Sequence, residues 1–265
     1  DIENNYFGEF SKFGKNPGEL YWPCSLTFDS KDNVYVTDEY THTISIFSPD
    51  GDFIKRWGVK GDKKGELNFP SGIFCDDNDL LYITDNLNNR VQVMTLEGDF
   101  IKTWGKEGNK PGEFDKPWGI KIINEKILVA DWRNDRIQIF NKDGEYLDQF
   151  GKTENKEGEL FRPSDVTQDN KGFYYVCDWG NQKIQIFDCD FKYSGFLRGE
   201  STLSEWAKEY LDANVDEKKA RESFVPVFPI DDVEPHEESA RIESYFWDPT
   251  SVVIDKNQNL LVLDS

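Results

Sequence analysis

Five aspartates stand at one recurring place in the chain: Asp38, Asp85, Asp131, Asp178 and Asp264. So many carboxylates invite a metal-binding or acid–base reading. Their repetition argues against it, because a catalytic site is asymmetric whereas a turn network is copied with the fold. Asn and Arg follow shortly after, as in Asp85-Asn86-Leu87-Asn88-Asn89-Arg90, so capping of loop amides is the expected role. The remaining chemistry is sparse. His42 and His236 are the two histidines, and His236 sits in the polar stretch Glu234-Pro235-His236-Glu237, which reads as a mobile loop. No EF-hand spacing, phosphate-binding glycine loop or nucleophile elbow occurs. No catalytic residue, metal site or cofactor is expected.

Recognition chemistry is better represented. Beside the recurring Asp stand Tyr40, Leu87, Trp132 with Arg133, and Trp179; beside a recurring Pro stand Trp22, Trp118, Arg162 and Trp247. Trp, Tyr and Arg dominate binding hot spots. One surface built from Trp132, Arg133, Trp179, Tyr40, Trp118, Arg162 and Trp22 is therefore expected, with Trp132, Arg133 and Trp179 the most accessible. Asp165 joins these candidates as the one carboxylate where the first strand of each unit begins, against Cys24-Ser25, Ser71-Gly72, Trp118-Gly119 and Thr250-Ser251. A hard cation wants about six oxygens, so a single carboxylate there does not make a metal site.

The elements that must position these residues come from a repeat. Pro23, Pro70, Pro117 and Pro163 are spaced 47, 47 and 46 apart, and Asp38, Asp85, Asp131 and Asp178 are spaced 47, 46 and 47 apart. Two landmarks at one period are a specific signal. Each unit holds four strand-like pieces, the last two joined by turns such as Pro49-Asp50-Gly51 and Lys142-Asp143-Gly144, and Asp-Gly is a strong hairpin signal. Runs such as Leu80-Leu81-Tyr82-Ile83 are apolar on both faces. An isolated antiparallel sheet would alternate, whereas sheets packed on both sides need not. The expected fold is all-β, a β-propeller of four-stranded antiparallel blades. The aromatic before glycine at Phe13, Trp57, Trp104 and Phe150 is expected to wedge between blades.

The order Pro-x-Gly, strand, Asp, then Asn-x-Arg-Ile/Val-Gln-Ile/Val resembles the NHL repeat. Asn88-Asn89-Arg90-Val91-Gln92-Val93 and Asn134-Asp135-Arg136-Ile137-Gln138-Ile139 carry the resemblance, and Asn181-Gln182-Lys183-Ile184-Gln185-Ile186 carries it with Lys for Arg. The first unit departs, with Thr41-His42-Thr43, and a weaker turn network is expected there. The resemblance covers nearly the whole chain outside residues 200–243. It implies a propeller, commonly six-bladed, and fixes no activity by itself. Related amidating-type lyases hold a metal through histidines, and lactonase-like propellers hold calcium through carboxylates and Asn near the axis. A fragment of such a metal-dependent hydrolase or lyase is the alternative to a non-catalytic scaffold.

The expected organisation is one propeller domain over 1–265. Residues 1–14 read as the last strand of a preceding blade, 15–58, 59–105, 106–151 and 152–199 as complete blades, and 244–265 as the first two strands of another. Four complete blades and parts of two suggest a fragment of a longer protein. Between Asp178 and Asp264 lie 86 residues where 47 is the norm, and the excess maps to 200–243, a helical insertion. Thr202-Leu203-Ser204-Glu205 reads as a capping box, with Leu203, Trp206, Ala207, Tyr210 and Leu211 as one apolar stripe, and Asp216 to Phe224 as a second short helix. An acidic lid over the channel mouth or a solvated loop are its two readings.

Charge narrows the partners. Net charge is −20, and the loops Gly58–Pro70, Gly105–Pro117 and Gly151–Pro163 sum to +1, 0 and 0. No basic face emerges, so nucleic acid is disfavoured. No apolar run reaches the ~20 residues of a membrane span. Cys24, Cys75, Cys177 and Cys189 form no CxxC pair and read as unpaired thiols, which leans towards a reducing compartment such as the cytoplasm and otherwise leaves localisation open. A protein or peptide partner is the expectation that remains.

Overall fold

The computed structural model describes residues 9–151, 158–199, 205–224, 234–242 and 245–264. Four antiparallel sheets follow one another, each with its strands in chain order. They are β1 (Pro23–Phe28), β2 (Val34–Asp38), β3 (Thr43–Phe47) and β4 (Phe53–Trp57); then β5 (Pro70–Cys75), β6 (Leu80–Asp85), β7 (Arg90–Thr95) and β8 (Phe100–Trp104). The third holds β9 (Pro117–Ile123), β10 (Lys126–Asp131), β11 (Arg136–Phe140) and β12 (Tyr146–Phe150); the fourth holds β13 (Pro163–Gln168), β14 (Tyr174–Asp178), β15 (Lys183–Phe187) and β16 (Tyr193–Leu197). β17 (Pro249–Ile254) and β18 (Leu260–Asp264) make a two-stranded sheet. The first strand of each sheet lies beside the first strand of the next, β1 by β5, β5 by β9, β9 by β13 and β13 by β17. These are the blades of a β-propeller.

The register explains why the two sequence landmarks march together. Each recurring Pro pairs across the first two strands with the recurring Asp: Pro23 with Asp38, Pro70 with Asp85, Pro117 with Asp131, Pro163 with Asp178 and Pro249 with Asp264. A bulge follows at once in every case. The proline lacks an N–H to give to the ladder, so it suits the first residue of a strand.

The core lies between sheets, which is why both faces of a strand are apolar. Tyr35, Ile44 and Ile46 of the first sheet pack on Leu67, Ile73, Leu81, Ile83 and Met94 of the second. Similar layers join the second sheet to the third and the third to the fourth. Each such Leu or Ile contributes about 1.5–3 kcal/mol by leaving water. Inner strands come close enough to forbid a side chain: a Cβ on Gly72 would sit 2.4 Å from the Trp118 carbonyl oxygen, and one on Gly119 2.4 Å from that of Ser164. Leu26 is 52% exposed where its equivalent Ile73 is 2% exposed. Leu26, with Phe28, lies on the first sheet, while Val253, Leu261 and Leu263 are exposed on the last.

The inter-blade wedges correct one reading. Trp57 packs on the turn glycine Gly98 of the next blade and donates its indole N–H to the Leu96 carbonyl at 3.1 Å; the Trp104 ring packs on Gly144 likewise, without that hydrogen bond among the described residues. Phe150 stacks on Phe191 at 4.9 Å and 7°, so a smaller wedge meets a larger turn residue. In the first blade the wedge is Phe10, which packs on Phe47 and Gly51; Phe13 is 75% exposed. The parallel bridges Phe13–Leu20, Lys60–Leu67 and Glu107–Phe114 place Phe13 three residues beyond the wedge position. The pair Phe13-Gly14 matches Trp57-Gly58 in residue type but not in place.

The turn network of the first blade differs from expectation as well. In the regular blades Arg90 and Arg136 reach loop carbonyls from the third strand. In the first blade Arg56 of β4 does so, donating to Ser45 Oγ at 2.9 Å, to the Lys15 carbonyl at 3.0 Å and to the Glu19 carbonyl. The network is supplied from the neighbouring strand rather than lost.

The insertion forms α1 (Glu205–Ala213), α2 (Val215–Glu222) and α3 (Pro235–Ser239). Residues 202–204 of the capping box, with Leu203, lie outside the described residues, as does most of 1–14. Leu211 of the expected stripe is buried, whereas Tyr210 is 46% exposed. The stretch read as a mobile loop is the helix α3, whose Pro235 opens the first turn and whose Glu237 and Glu238 complement its positive N-terminal end. Arg198 pairs with Glu238, and α3 packs against the turn Trp179–Asn181.

Candidate functional site

The recurring aspartates build the loops. Asp131 is fully buried and accepts hydrogen bonds from the Asp115 N–H at 2.8 Å, Asn134 Nδ2 at 2.9 Å, Arg136 Nε at 2.8 Å and Gln138 Nε2 at 3.0 Å. Asp85 is held alike by Asn68, Asn88, Arg90 and Gln92, and Asp178 by Phe161, Asn181 and Gln185. Burial raises the carboxyl pKa of Asp85 and Asp131 in spite of these donors, and brings that of Asp178 up to about 6. Every carboxylate is spent on tying the end of the second strand to the loop before the recurring Pro.

A second device fixes the residue before that Pro. His42, Asn89 and Asp135 are left-handed, and their side chains accept the N–H of Phe69 (3.0 Å), Lys116 (2.8 Å) and Arg162 (2.7 Å) in the next blade. Those three acceptors' partners are themselves left-handed, with φ of 56°, 55° and 53°. The clamp sets where the Arg162 side chain leaves the backbone.

On this scaffold five predicted residues converge. Trp118 at the start of β9, Trp132 after β10 and Trp179 after β14 form a row, with ring centroids 6.0 Å apart at each step. Arg162 lies over the Trp132 ring at 4.9 Å and Arg133 at 5.9 Å. Aromatic pairs of this spacing, and guanidinium on indole, are each worth about 0.5–1.5 kcal/mol, so the row is preorganised. Arg133 is exposed, and the three tryptophans and Arg162 are half-buried.

Trp22 and Tyr40 lie elsewhere. They meet edge-on at 6.3 Å in a separate cluster with Tyr21 and Phe13, and Lys15 caps the Tyr40 ring at 4.1 Å. The single surface expected from sequence is thus two clusters. Asp165 belongs to neither. Its carboxylate accepts from the Val166 N–H at 2.9 Å, Ser251 Oγ at 2.7 Å and the Val252 N–H at 3.1 Å, with Lys121 Nζ at 3.8 Å. It fastens β13 to β17.

Trp118 also borders a cavity of about 530 Å³ among the inner strands, with Cys24, Lys121, Asp165 and Ser251 on its wall. Burial pushes the Cys24 thiol well up, and burial raises neighbouring Glu39 to about 7, against the opposing hydrogen bond from Cys24. Among the described residues no three His, Cys, Asp or Glu side chains gather as metal ligands. None of the described helices is long and apolar enough to cross a membrane.

Sequence reading missed Phe161, Tyr21 and Glu39. Phe161 lies under Arg162 at 5.1 Å and over Gly180, where a Cβ would meet its ring at 2.3 Å. The signal was present: Phe161 and Tyr21 share the position before the pre-proline residue, and Glu39 shares that of Trp132 and Trp179.

The fold and site define a β-propeller with a loop face rich in aromatics, and comparison with known proteins agrees on the fold. A family described as a 6-bladed beta-propeller matches residues 114–204. No curated protein sequence matches the chain. Among solved structures, a streptogramin B lyase is similar at 14% identity and TM-score 0.58, covering 94% of this chain and 62% of that one. Virginiamycin B lyase from Staphylococcus aureus, selenomethionine-substituted, is similar at 14% identity and TM-score 0.56, covering 92% and 63%. Glutaminyl cyclase from Myxococcus xanthus is similar at 11% identity and TM-score 0.52, covering 92% and 86%. The chain thus spans less than two thirds of the length of the two lyases. At these identities the likeness is one of fold alone.

Proposed function

We propose that this is an NHL-type propeller acting as a non-catalytic scaffold that binds a protein or peptide on its loop-rich face. The observation that carries the reading is the Trp118–Trp132–Trp179 row with Arg162 and Arg133 against it. It draws on the third and fourth blades, is missing from the equivalent positions Cys24, Glu39, Ser71 and Asn86 of the first two, and consists of the residue types that concentrate binding energy. The cluster of Tyr21, Trp22 and Tyr40 is a second contact area on the first blade.

The enzyme alternative takes its appeal from the names of the lyases and the cyclase that share the fold, and fold does not carry function. It finds less support in the residues. The recurring carboxylates are consumed by loop amides, and both oxygens of Asp165 are engaged by β13 and β17.

Panning a displayed library of random twelve-residue peptides on the protein, then measuring the enriched peptides against Trp132→Ala and Trp179→Ala, tests the reading. Binding should weaken by tenfold or more in Trp132→Ala, about the 1.4 kcal/mol of one modest hot spot. No enrichment, or equal binding to both variants and the parent protein, would count against a scaffold.

A further inference from the structure

The arginines that build the blades all have partners. Arg90 and Arg136 hold Asp85 and Asp131, Arg198 holds Glu238, and Arg56 holds loop carbonyls. Arg133 and Arg162 differ. Among the described residues neither has a carboxylate within ion-pair distance, in a chain with 51 acidic side chains. Stacking covers the flat face of a guanidinium and leaves its N–H edge outward, the edge that matches a carboxylate.

The row beside them has a length scale. Its rings stand 6.0 Å apart at each step. Alternate side chains of an extended strand stand about 6.6–6.8 Å apart. A strand laid along the row can therefore set residues i, i+2 and i+4 on Trp118, Trp132 and Trp179, with the residues between them turned towards the two guanidiniums or solvent. The helix α3, which carries the exposed Glu237, packs against the turn Trp179–Asn181 at that end of the row.

We propose that the row docks an extended acidic peptide segment of another protein, its alternate apolar residues on the three tryptophans and an intervening carboxylate on Arg133 and Arg162. The proposal rests on the peptide-binding reading of the same row. The net charge of −20 opposes approach of an acidic segment, but that field is screened beyond about 8 Å at physiological ionic strength, and the stacked guanidiniums act inside that range. A basic segment would approach faster and then meet two cations at the contact itself.

Four fluorescein-labelled nine-residue peptides test it by polarisation. All carry Leu and Phe at alternate positions, and the intervening positions are Glu, Gln, Lys or phosphoserine. The Glu peptide should bind at least about tenfold tighter than the Gln peptide, the gain expected of one charge-assisted pair. In Arg133→Ala/Arg162→Ala that advantage should fall to threefold or less by the same reasoning, and Arg162→Lys, which keeps charge but loses the stack, should keep only part of it. Thermal melts of each variant guard against unfolding, and Arg162→Lys serves if the double variant does not fold. The proposal is overturned if the Gln or Lys peptide binds as well as the Glu peptide, if the Glu advantage survives in the double variant, or if none of the four binds. Tighter binding of the phosphoserine peptide would overturn the carboxylate assignment. Neutral or basic peptides enriched by panning in a Trp132-dependent way would sink this inference and leave the scaffold standing.

Discussion

Removing the carboxylate of Asp131 is the most informative single perturbation of the framework. Its oxygens serve four donors, and one of these, Arg136, is a buried cation. Burial raises the Asp131 carboxyl pKa, and taking both charges out of water offsets much of their attraction. What Asp131→Ala does is leave an uncompensated guanidinium and three N–H groups without their acceptor. Breaking a buried pair from one side costs about 3–5 kcal/mol, and that is the predicted loss. Asp264 provides a control within the chain, because its carboxylate serves only the Trp247 and Asp248 N–H groups in an exposed setting among the described residues. Asp264→Ala should cost about 1 kcal/mol. Urea unfolding followed by tryptophan fluorescence reads both. Equal losses, or a loss below about 1 kcal/mol for Asp131→Ala, would refute the view that these aspartates hold the loops.

Other outcomes follow from the same structure. Arg56→Ala should destabilise by about 1–3 kcal/mol and raise amide exchange in the loop 15–19, since its hydrogen bonds hold that loop; unchanged exchange would contradict the substitute role. Gly119→Ala should cost about 1–3 kcal/mol in urea unfolding, because a Cβ there meets the next inner strand at 2.4 Å. Glu39 supplies a pH test. Its folded pKa of about 7 lies above the ordinary 4.5, so the folded state holds a proton that the unfolded state releases between those values. Its contribution is greatest at low pH and is lost as pH rises through 7, and Glu39→Gln should flatten the stability profile between pH 4.5 and 7. A profile equally steep in the variant would contradict the assignment.

The blades were legible in the sequence because strand pairing, Asp-capped turns and inter-sheet packing repeat every 46 or 47 residues, so each unit vouches for the others. Where a unit deviates, local matching misled. Phe13-Gly14 looked like Trp57-Gly58, yet the loop bridges put Phe10 in the wedge. Arg56 was invisible as a replacement because it comes from the fourth strand, and adjacency across a sheet is not adjacency in sequence. The row of Trp118, Trp132 and Trp179 was predictable as a set of types. Its separation from Trp22 and Tyr40 was not, since which blades bring their loops together is decided by packing around the axis. Asp165 looked like a site residue for want of knowing that Ser251, 86 positions on, would claim its carboxylate.

A peptide docked along Trp118, Trp132 and Trp179 should shield the loops that carry them. Hydrogen–deuterium exchange of the protein with and without a peptide enriched by panning tests it most directly. Slowed exchange confined to the loops around 115–118, 132–134, 161–162 and 179–181 is expected. Slowed exchange on β4, β8 and β12 instead, with those loops unchanged, would contradict it.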